Sequence, residues 1–597
     1  MTTRSGSHIA HTLAQLRSAM RAASPPVDAL LVPSADEHQA EYPPASAERR
    51  AFVSGFSGSA GDALITSEHA FLWTDGRYWT QAEQQLDESL FTLMRSGAHA
   101  VPTLREYLTR LPERSVVAVD ARTIPWRSFL DLQQSLTPRG ISLIDTPRNL
   151  IDATWADRPA HPAEPVRAHP PALAGASVQD KLAALRDDLA RAGAEAHAVS
   201  SLDAIAWLFN LRGADIPFNP LFLAHAIITP GRATLFTNPS RLTDDARRSL
   251  ANVADILPYD QFEPALLDTP ALRWWIDELH TSARTATILL NAGRRIVERA
   301  RSPIFAAKAR KNPAELVASR LAHLRDACAL IQTLRWFERE APSGELTELD
   351  IANRVESDRR AQPDYLSHSF FPIAAAGPNG AIVHYRPTEE SNRAVRADEL
   401  FLLDCGAQYL QAATDVTRTL HPSTPTPEQR RAFTLVLKAH IALASTTFPA
   451  SANGVQLDAV ARMPLWREQH DFNHGTGHGV GISVHENPPS ISPRAGALAS
   501  LAPNMILSIE PGIYIPDHLG IRIENLYVVQ AANDDASRLR FDPLTLLPIQ
   551  RNLIDADVLT PDERAWLNDY HARVLRELTP HLDTDSVAWL TRATATI

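Results

Sequence analysis

Two apolar runs in the C-terminal half of the chain stop on a carboxylate. LFLLDCG (400–406) ends in Asp404 and Gly406, and MILSIEPG (505–512) ends in Glu510 followed by Pro-Gly. Runs this short and this apolar read as buried strands. A carboxylate at the end of a buried strand is costly unless it is paired or bound to a metal. The chain therefore has to fold so that these strand ends find a cation or a donor. Two more acids share this setting: Asp415 in TDVTRTL, and Glu524 in IRIENLYV (521–528). Strand periodicity places Arg522, Glu524 and Leu526 on one face, with Ile521 and Ile523 on the other. Arg522 is thus expected to pair with or orient Glu524. Singly, each acid reads equally well as a turn former. Between the two runs lies NHGTGHGVGISVHEN (473–487), with His474, His478 and His485 separated by glycines. Four acids and such a loop in one segment point instead to a site.

Bulk properties narrow what that site can serve. The chain has 597 residues, past the size at which one hydrophobic core stops growing, so several domains are expected. Its net charge of −11 provides no basic footprint for nucleic acid or an anionic membrane. No apolar run approaches the ~20 residues of a membrane span. The N-terminal segment carries Ile9, Leu13, Leu16 and Met20 at helical spacing and reads as an amphipathic helix rather than a signal peptide. Two cysteines, Cys328 and Cys405, imply no disulfide framework and a reducing compartment, with the cytoplasm as the expected location. Cys405 is expected to be buried and inert.

Three segments are visible. In 1–157, helical patterns alternate with the apolar runs ALLVP (29–33), DALITSEHAFLWTDGRY (62–78) and SVVAVD (115–120), an α/β pattern. The proline-rich stretch 153–175 reads as a boundary. The segment 158–311 opens its ordered part with a helix at 177–193, carrying Leu182, Leu185 and Leu189 on one face and Gly193 as C-cap. It continues with α/β material that includes a hairpin in FLAHAIITPGRATLFTN, so a shared architecture is expected for the two segments. The segment 312–597 starts on Asn312-Pro313-Ala314-Glu315, where asparagine caps, proline occupies the first turn and glutamate reaches back to the cap, predicting a helix to about Glu340.

Several chemistries drop out. There is no H-E-x-x-H motif. GFSGSAG (55–61) lacks the spacing of a nucleophile elbow. HGTGHGVG fits neither nucleotide-binding glycine pattern. Four carboxylates and an imidazole form a hard, oxygen-rich donor set that suits Mn²⁺, with Co²⁺, Fe²⁺ or Zn²⁺ as substitutes, and paired divalent ions are a common hydrolytic device.

The series Asp404, Asp415, GHGVGISVHE (477–486), Glu510 in IEPG and Glu524 in IRIEN resembles the pita-bread metallopeptidases. Within them the chain is most similar to the long, three-domain Xaa-Pro aminopeptidases. RRAFVSGFSGSAG, WTDGRYWTQAEQQ, LDAIAWLFNLRG, GPNGAIVHYRP, DVTRTLH and FDPLTLLPIQRNLID carry the likeness across all three segments. The resemblance implies two α/β N-terminal domains and a C-terminal pita-bread catalytic domain with two pseudo-symmetric halves. It implies two divalent ions, Mn²⁺ first and Zn²⁺ or Co²⁺ as alternatives, with Asp404 and Asp415 on one, Asp415 and Glu524 bridging, and His478 and Glu510 completing the second. The implied reaction is attack of metal-activated water on the carbonyl before a proline at position 2, with Glu510 as acid/base group. His384, His474 and His485 are implied to hold the oxyanion or the substrate, with Tyr514 and Arg522 in the substrate-facing set. His478 and His485 stand at the spacing of shorter relatives, which leaves the shape of this loop open. The same resemblance implies peptide substrates and a homodimer formed through the C-terminal domain. A prolidase acting on dipeptides and a non-catalytic binding module are the alternatives.

Overall fold

The computed structural model describes residues 6–146, 148–533 and 535–597. It divides into two compact units, Met1–Pro170 with Ala176–Ile304, and Pro171–Gly175 with Phe305–Ile597.

The first unit contains two six-stranded sheets of one topology. In the first, the strand order is Thr92–Arg95, Ala70–Thr74, Asp62–Thr66, Ala29–Val32, Val116–Val119, Ser142–Asp145. In the second it is Asp255–Leu257, Ala233–Phe236, His225–Ile228, Ala196–Val199, Arg273–Trp275, Arg295–Glu298. In both, the first strand in sequence is central, antiparallel to the strand that follows on one side and parallel to a later strand on the other. The shared architecture expected for the two segments is thus present, and so is the hairpin, which pairs His225–Ile228 with Ala233–Phe236. The central strands are buried along their whole length, which is why they read as continuous apolar runs. Gly6–Ala22 forms the expected amphipathic helix and buries Ile9, Leu13, Leu16 and Met20. Val178–Arg191 buries Leu182, Leu185 and Leu189, and Gly193 just beyond it has a positive φ.

The second unit repeats a motif of two helices and a sheet. Helices Pro313–Glu340 and Glu348–Arg360 accompany an antiparallel sheet of Ile373–Ala376, Phe401–Cys405 and Val416–Leu420. Helices Pro427–Ala444 and Gly454–Trp466 accompany a six-stranded sheet. All four helices begin with a capping box, from Asn312, Thr347, Thr426 and Asn453, so each start is fixed locally by two satisfied backbone N–H groups. Helices Pro561–Leu578 and Thr584–Ala593 close the chain, adding Leu567, Tyr570, Val574, Leu578 and Leu590 to the main core of this unit. This is the pita-bread architecture, two similar αβ halves, preceded by α/β units as expected.

The sheets deliver the acids by simple periodicity. Phe401, Leu403 and Cys405 face the main core, so Asp404 falls on the opposite face with Leu402. Its strand is central in the sheet, and Asp404 stands between Ile373 and Thr417. In the second half, Leu507, Ile509, Tyr527 and Val529 face one core. Ile506, Leu526 and Val528 face another, together with Val480, Val484 and Ala413. Glu510 and Glu524 share the parity of this second face. The antiparallel register ends at Ile509 opposite Asn525, so the two glutamates leave their strands as neighbours.

Candidate active site

The carboxylates of Asp404, Asp415, Glu510 and Glu524 converge with His478 where the two halves of the second unit meet. One donor atom each from Asp415, His478 and Glu524 lies within 4.8 Å of the others. His478 Nε2 is 3.5 Å from Asp415 Oδ2 and 3.6 Å from Glu510 Oε1. Thr417 ties the halves together: its hydroxyl donates to Glu524 Oε2 at 2.8 Å and its carbonyl accepts from the Glu524 N–H at 3.1 Å.

His478 is held in the tautomer a ligand needs. Its Nδ1 is 3.1 Å from the Gly479 carbonyl; an N–H donated there turns Nε2 toward the acids, where it becomes a ligand once a cation displaces its proton. Its backbone N–H donates to Ser508 Oγ at 3.0 Å, and that hydroxyl donates onward to Glu510 Oε1 at 3.3 Å. Gly477 is required here, because a Cβ would overlap the Ser508 carbonyl. The preceding loop is pinned by Arg462, which donates to the carbonyls of Phe472 and His474.

Three oxygens in the cluster have no hydrogen-bond partner among the described residues: Asp404 Oδ1, Asp415 Oδ1 and Glu524 Oε1, all buried. An orphaned buried polar atom is rare in a folded protein and calls for an explanation such as an ion. The electrostatics agree. Burial, with Asp404 and Glu510 nearby, pushes the Asp415 carboxyl up to about 7. Burial raises Glu510 and, with repulsion from Asp415 and Glu510, raises Glu524 further. Burial alone would lower His478, but Asp415 and Glu510 outweigh it and push the imidazole up to about 9. The buried acids and the imidazole therefore favour their protonated forms, and a divalent cation would take the place of those protons. Hard oxygen donors, one oriented imidazole and orphaned oxygens fit divalent cations.

Arg522 departs from expectation. It donates to Asp404 Oδ2 at 2.6 Å and to Tyr514 Oη at 2.7 Å and does not pair with Glu524 directly, reaching it only through the Thr417 hydroxyl, 3.3 Å from Arg522 Nε. The reason is local: strand Leu519–Arg522 ends at this residue and the next strand starts at Asn525, so period-two reasoning does not carry across Ile523–Glu524. Tyr514 Oη is also 2.8 Å from His474 Nε2, and His474 Nδ1 is 2.7 Å from the Gly475 carbonyl. Both ring nitrogens of His474 are thus in use. Burial, with Arg522 nearby, drives this imidazole well below its ordinary value, so it is neutral. His384 lies half-buried beside Val383, whose carbonyl is 3.3 Å from Arg522. His485 is exposed, its ring 4.4 Å from that of His478 and nearly perpendicular to it. Cys405 is buried and its thiol is pushed up to about 12 by burial, so it is unreactive, as expected.

Sequence reading missed Thr417 and Ser508. Thr417 was discoverable, since it stands on the strand Val416–Leu420 only two residues beyond Asp415. Ser508 likewise stands on a strand, two residues before Glu510.

A two-halved α/β fold with this donor set defines a pita-bread metallohydrolase. The chain belongs to metallopeptidase family M24, whose model matches residues 318–531, with the C-terminal region of the same family over 537–597. Creatinase/prolidase N-terminal domains match 13–153 and 157–315. The chain is 41% identical over 606 aligned positions to a probable Xaa-Pro aminopeptidase P from Neosartorya fischeri, covering 98% of this chain and 92% of that one. It is 39% identical to a probable Xaa-Pro aminopeptidase P from Coprinopsis cinerea, covering 99% of both. Among solved structures it superposes on the X-prolyl aminopeptidase of Caenorhabditis elegans, described as a cytosolic enzyme with a di-nuclear active site. That match has a TM-score of 0.94 and 36% identity, and covers 99% of this chain and 100% of the other. Among the described residues no helix is long and apolar enough to cross a membrane.

Proposed function

We propose that this chain is an Xaa-Pro aminopeptidase that releases the N-terminal residue from peptides with proline at position 2. Its cofactor is a pair of divalent cations, Mn²⁺ in preference to Zn²⁺ or Co²⁺, held by Asp404, Asp415, His478, Glu510 and Glu524. The observation that carries the reading is the grouping of Asp415, His478 and Glu524 within 4.8 Å, with Glu510 3.6 Å from His478 and orphaned oxygens on Asp404, Asp415 and Glu524, in a chain matched end to end by aminopeptidase relatives. When bound, the ions supply Lewis acidity and lower the pKa of water so that a nucleophile exists at neutral pH.

The chain's own residues do the rest. Glu510, raised by burial, takes a proton from the attacking water and passes it to the departing prolyl nitrogen. His485 and His384 are assigned as donors to the tetrahedral oxyanion. His474 has spent both nitrogens on Gly475 and Tyr514, so it and Tyr514 form the wall for the proline ring, with Arg522 fixing that wall to Asp404. A prolyl nitrogen has no hydrogen to donate, so shape rather than an N–H contact must recognise it. The enzyme is read as cytoplasmic and homodimeric, which light scattering coupled to size exclusion would check.

The test is hydrolysis of an Xaa-Pro tripeptide with and without Mn²⁺, beside the same peptide with alanine for proline and an Xaa-Pro dipeptide. Cleavage of the tripeptide alone is expected. Cleavage confined to the dipeptide would favour the prolidase reading.

A further inference from the structure

His485 is exposed, and it sits on a loop in contact with a residue ahead of the family's peptidase segment. The chain turns back after His478 so that Gly479 pairs with Glu486 across the hairpin. Inside it the Gly481 N–H donates to the Ser483 carbonyl at 3.0 Å. Glu486 is 5% exposed and its side chain folds into this turn. Oε1 accepts the Ser483 N–H at 3.0 Å, and the carboxylate lies so close to Gly481 that a Cβ there would overlap it. The other oxygen, Oε2, accepts from Lys308 Nζ. Lys308 is 2% exposed, on helix Pro303–Ala309, ahead of the residues 318–531 matched by the M24 model. Its helix end is fixed in turn: Lys311 Nζ donates to the Lys308 carbonyl and the Lys311 N–H to the Asn504 carbonyl, both at 2.9 Å.

A buried carboxylate inside a tight turn is tolerable only with a matched cation, and removal of one partner of a buried pair leaves the other uncompensated. We propose that Lys308 is a positioning residue for the peptidase reaction: through Glu486 its buried ammonium holds the 480–487 loop, and with it the His485 imidazole against His478. This rests on the aminopeptidase reading for its kinetic consequence, while the anchoring itself stands on the buried pair. The backbone of the loop is also tied by the Val480 N–H, which donates to the Ile506 carbonyl at 3.1 Å, and by Gln408, which donates to the Ile482 carbonyl at 3.4 Å. The apolar side chains Val480 and Val484 seat it on the core below the donors, and Glu486 supplies the one buried charge.

The experiment compares the full-length wild-type protein with Lys308→Met, Lys308→Arg and Lys308→Met/Glu486→Gln. Each is assayed for Xaa-Pro tripeptide hydrolysis with Mn²⁺, for metal content, and for hydrogen–deuterium exchange of residues 480–487 against the helix Pro427–Ala444. In Lys308→Met, kcat should fall on the order of 10- to 100-fold, the scale of a misplaced group in a formed site. KM and metal content should stay near wild type, and exchange should accelerate in 480–487 alone. Lys308→Arg, which keeps the charge, should restore protection, and so in part should the double variant, which removes both charges. Wild-type kcat and protection in Lys308→Met would overturn the proposal. So would loss of protection throughout residues 305–597, because Lys308 would then stabilise the unit as a whole. If wild-type protein fails to cleave the tripeptide while protection of the loop still depends on Lys308, the aminopeptidase reading fails and the anchoring stands.

Discussion

Two clusters of buried acid lie close together in the second unit and are built on opposite principles. Around Asp326 every oxygen is satisfied. Oδ1 accepts from Arg359 Nε at 2.8 Å and Tyr409 Oη at 3.3 Å, and Oδ2 accepts from Thr414 Oγ1 at 2.9 Å and from Arg359 at 3.1 Å. One residue beyond Thr414, the cluster of Asp415, Glu524, Asp404 and Glu510 holds three orphaned oxygens. Both are buried; what differs is who supplies the positive charge. In the first, the protein supplies it and the acid is structural. In the second, the one arginine, Arg522, meets only Asp404 Oδ2 among the four acids, three oxygens are left over, and that deficit favours a divalent ion.

That contrast can be broken at either end. The largest effect is expected from the donors: His478→Ala and Glu510→Ala should each reduce turnover by about 10²–10³-fold or more, on the scale of losing one group that stabilises transition-state charge. Circular dichroism and the unfolding midpoint should stay close to wild type. Next comes the structural cluster. Arg359→Met leaves Asp326 buried and unpaired, so denaturant unfolding should show a loss of about 3–5 kcal/mol. Glu524→Gln, by contrast, should raise the unfolding midpoint of the metal-free protein, because it removes charge from an uncompensated cluster. Arg522→Met should have an intermediate kinetic effect. Asp404 loses its partner and Tyr514 its anchor, so metal affinity should fall about 10- to 100-fold, read by calorimetry.

The smallest effect is a pH dependence of opposite sense to ordinary acid unfolding. Asp415, pushed up to about 7, and His478, pushed up to about 9, both bind protons more tightly folded than unfolded. Their contribution is fully present below their ordinary values, near 4 and 6.5. It is lost as pH rises through about 7 and about 9. The metal-free protein should therefore lose stability from these groups as pH rises from about 4 to about 9, and Mn²⁺ should abolish the trend. A thermal-shift series with and without chelator reads this directly.

Much of this was legible in the sequence for identifiable reasons. Acids at the ends of apolar runs are conspicuous because buried strands rarely carry them, and Asn312-Pro313-x-Glu315 announces its helix through local hydrogen bonds alone. The pairing of Arg522 was not legible. Its partner, Asp404, lies in the other half of the unit, and the strand carrying Arg522 ends before periodicity can reach Glu524. Lys308 was invisible for a related reason. Nothing in SPIFAAKARKN marks a lysine for burial; its meaning comes from Glu486, far along the chain. The repeat of topology in the first unit was only suggested, because strand order is set by long-range pairing that alternating apolar runs do not encode.

The central claim is that the orphaned oxygens are ligands for a pair of catalytic cations. Protein purified without chelator should carry close to two divalent ions per chain by elemental analysis. Chelation should abolish Xaa-Pro tripeptide cleavage, Mn²⁺ should restore it, and the alanine-substituted peptide should remain uncut throughout. Protein that holds no divalent ion and stays inactive with added Mn²⁺ would contradict it.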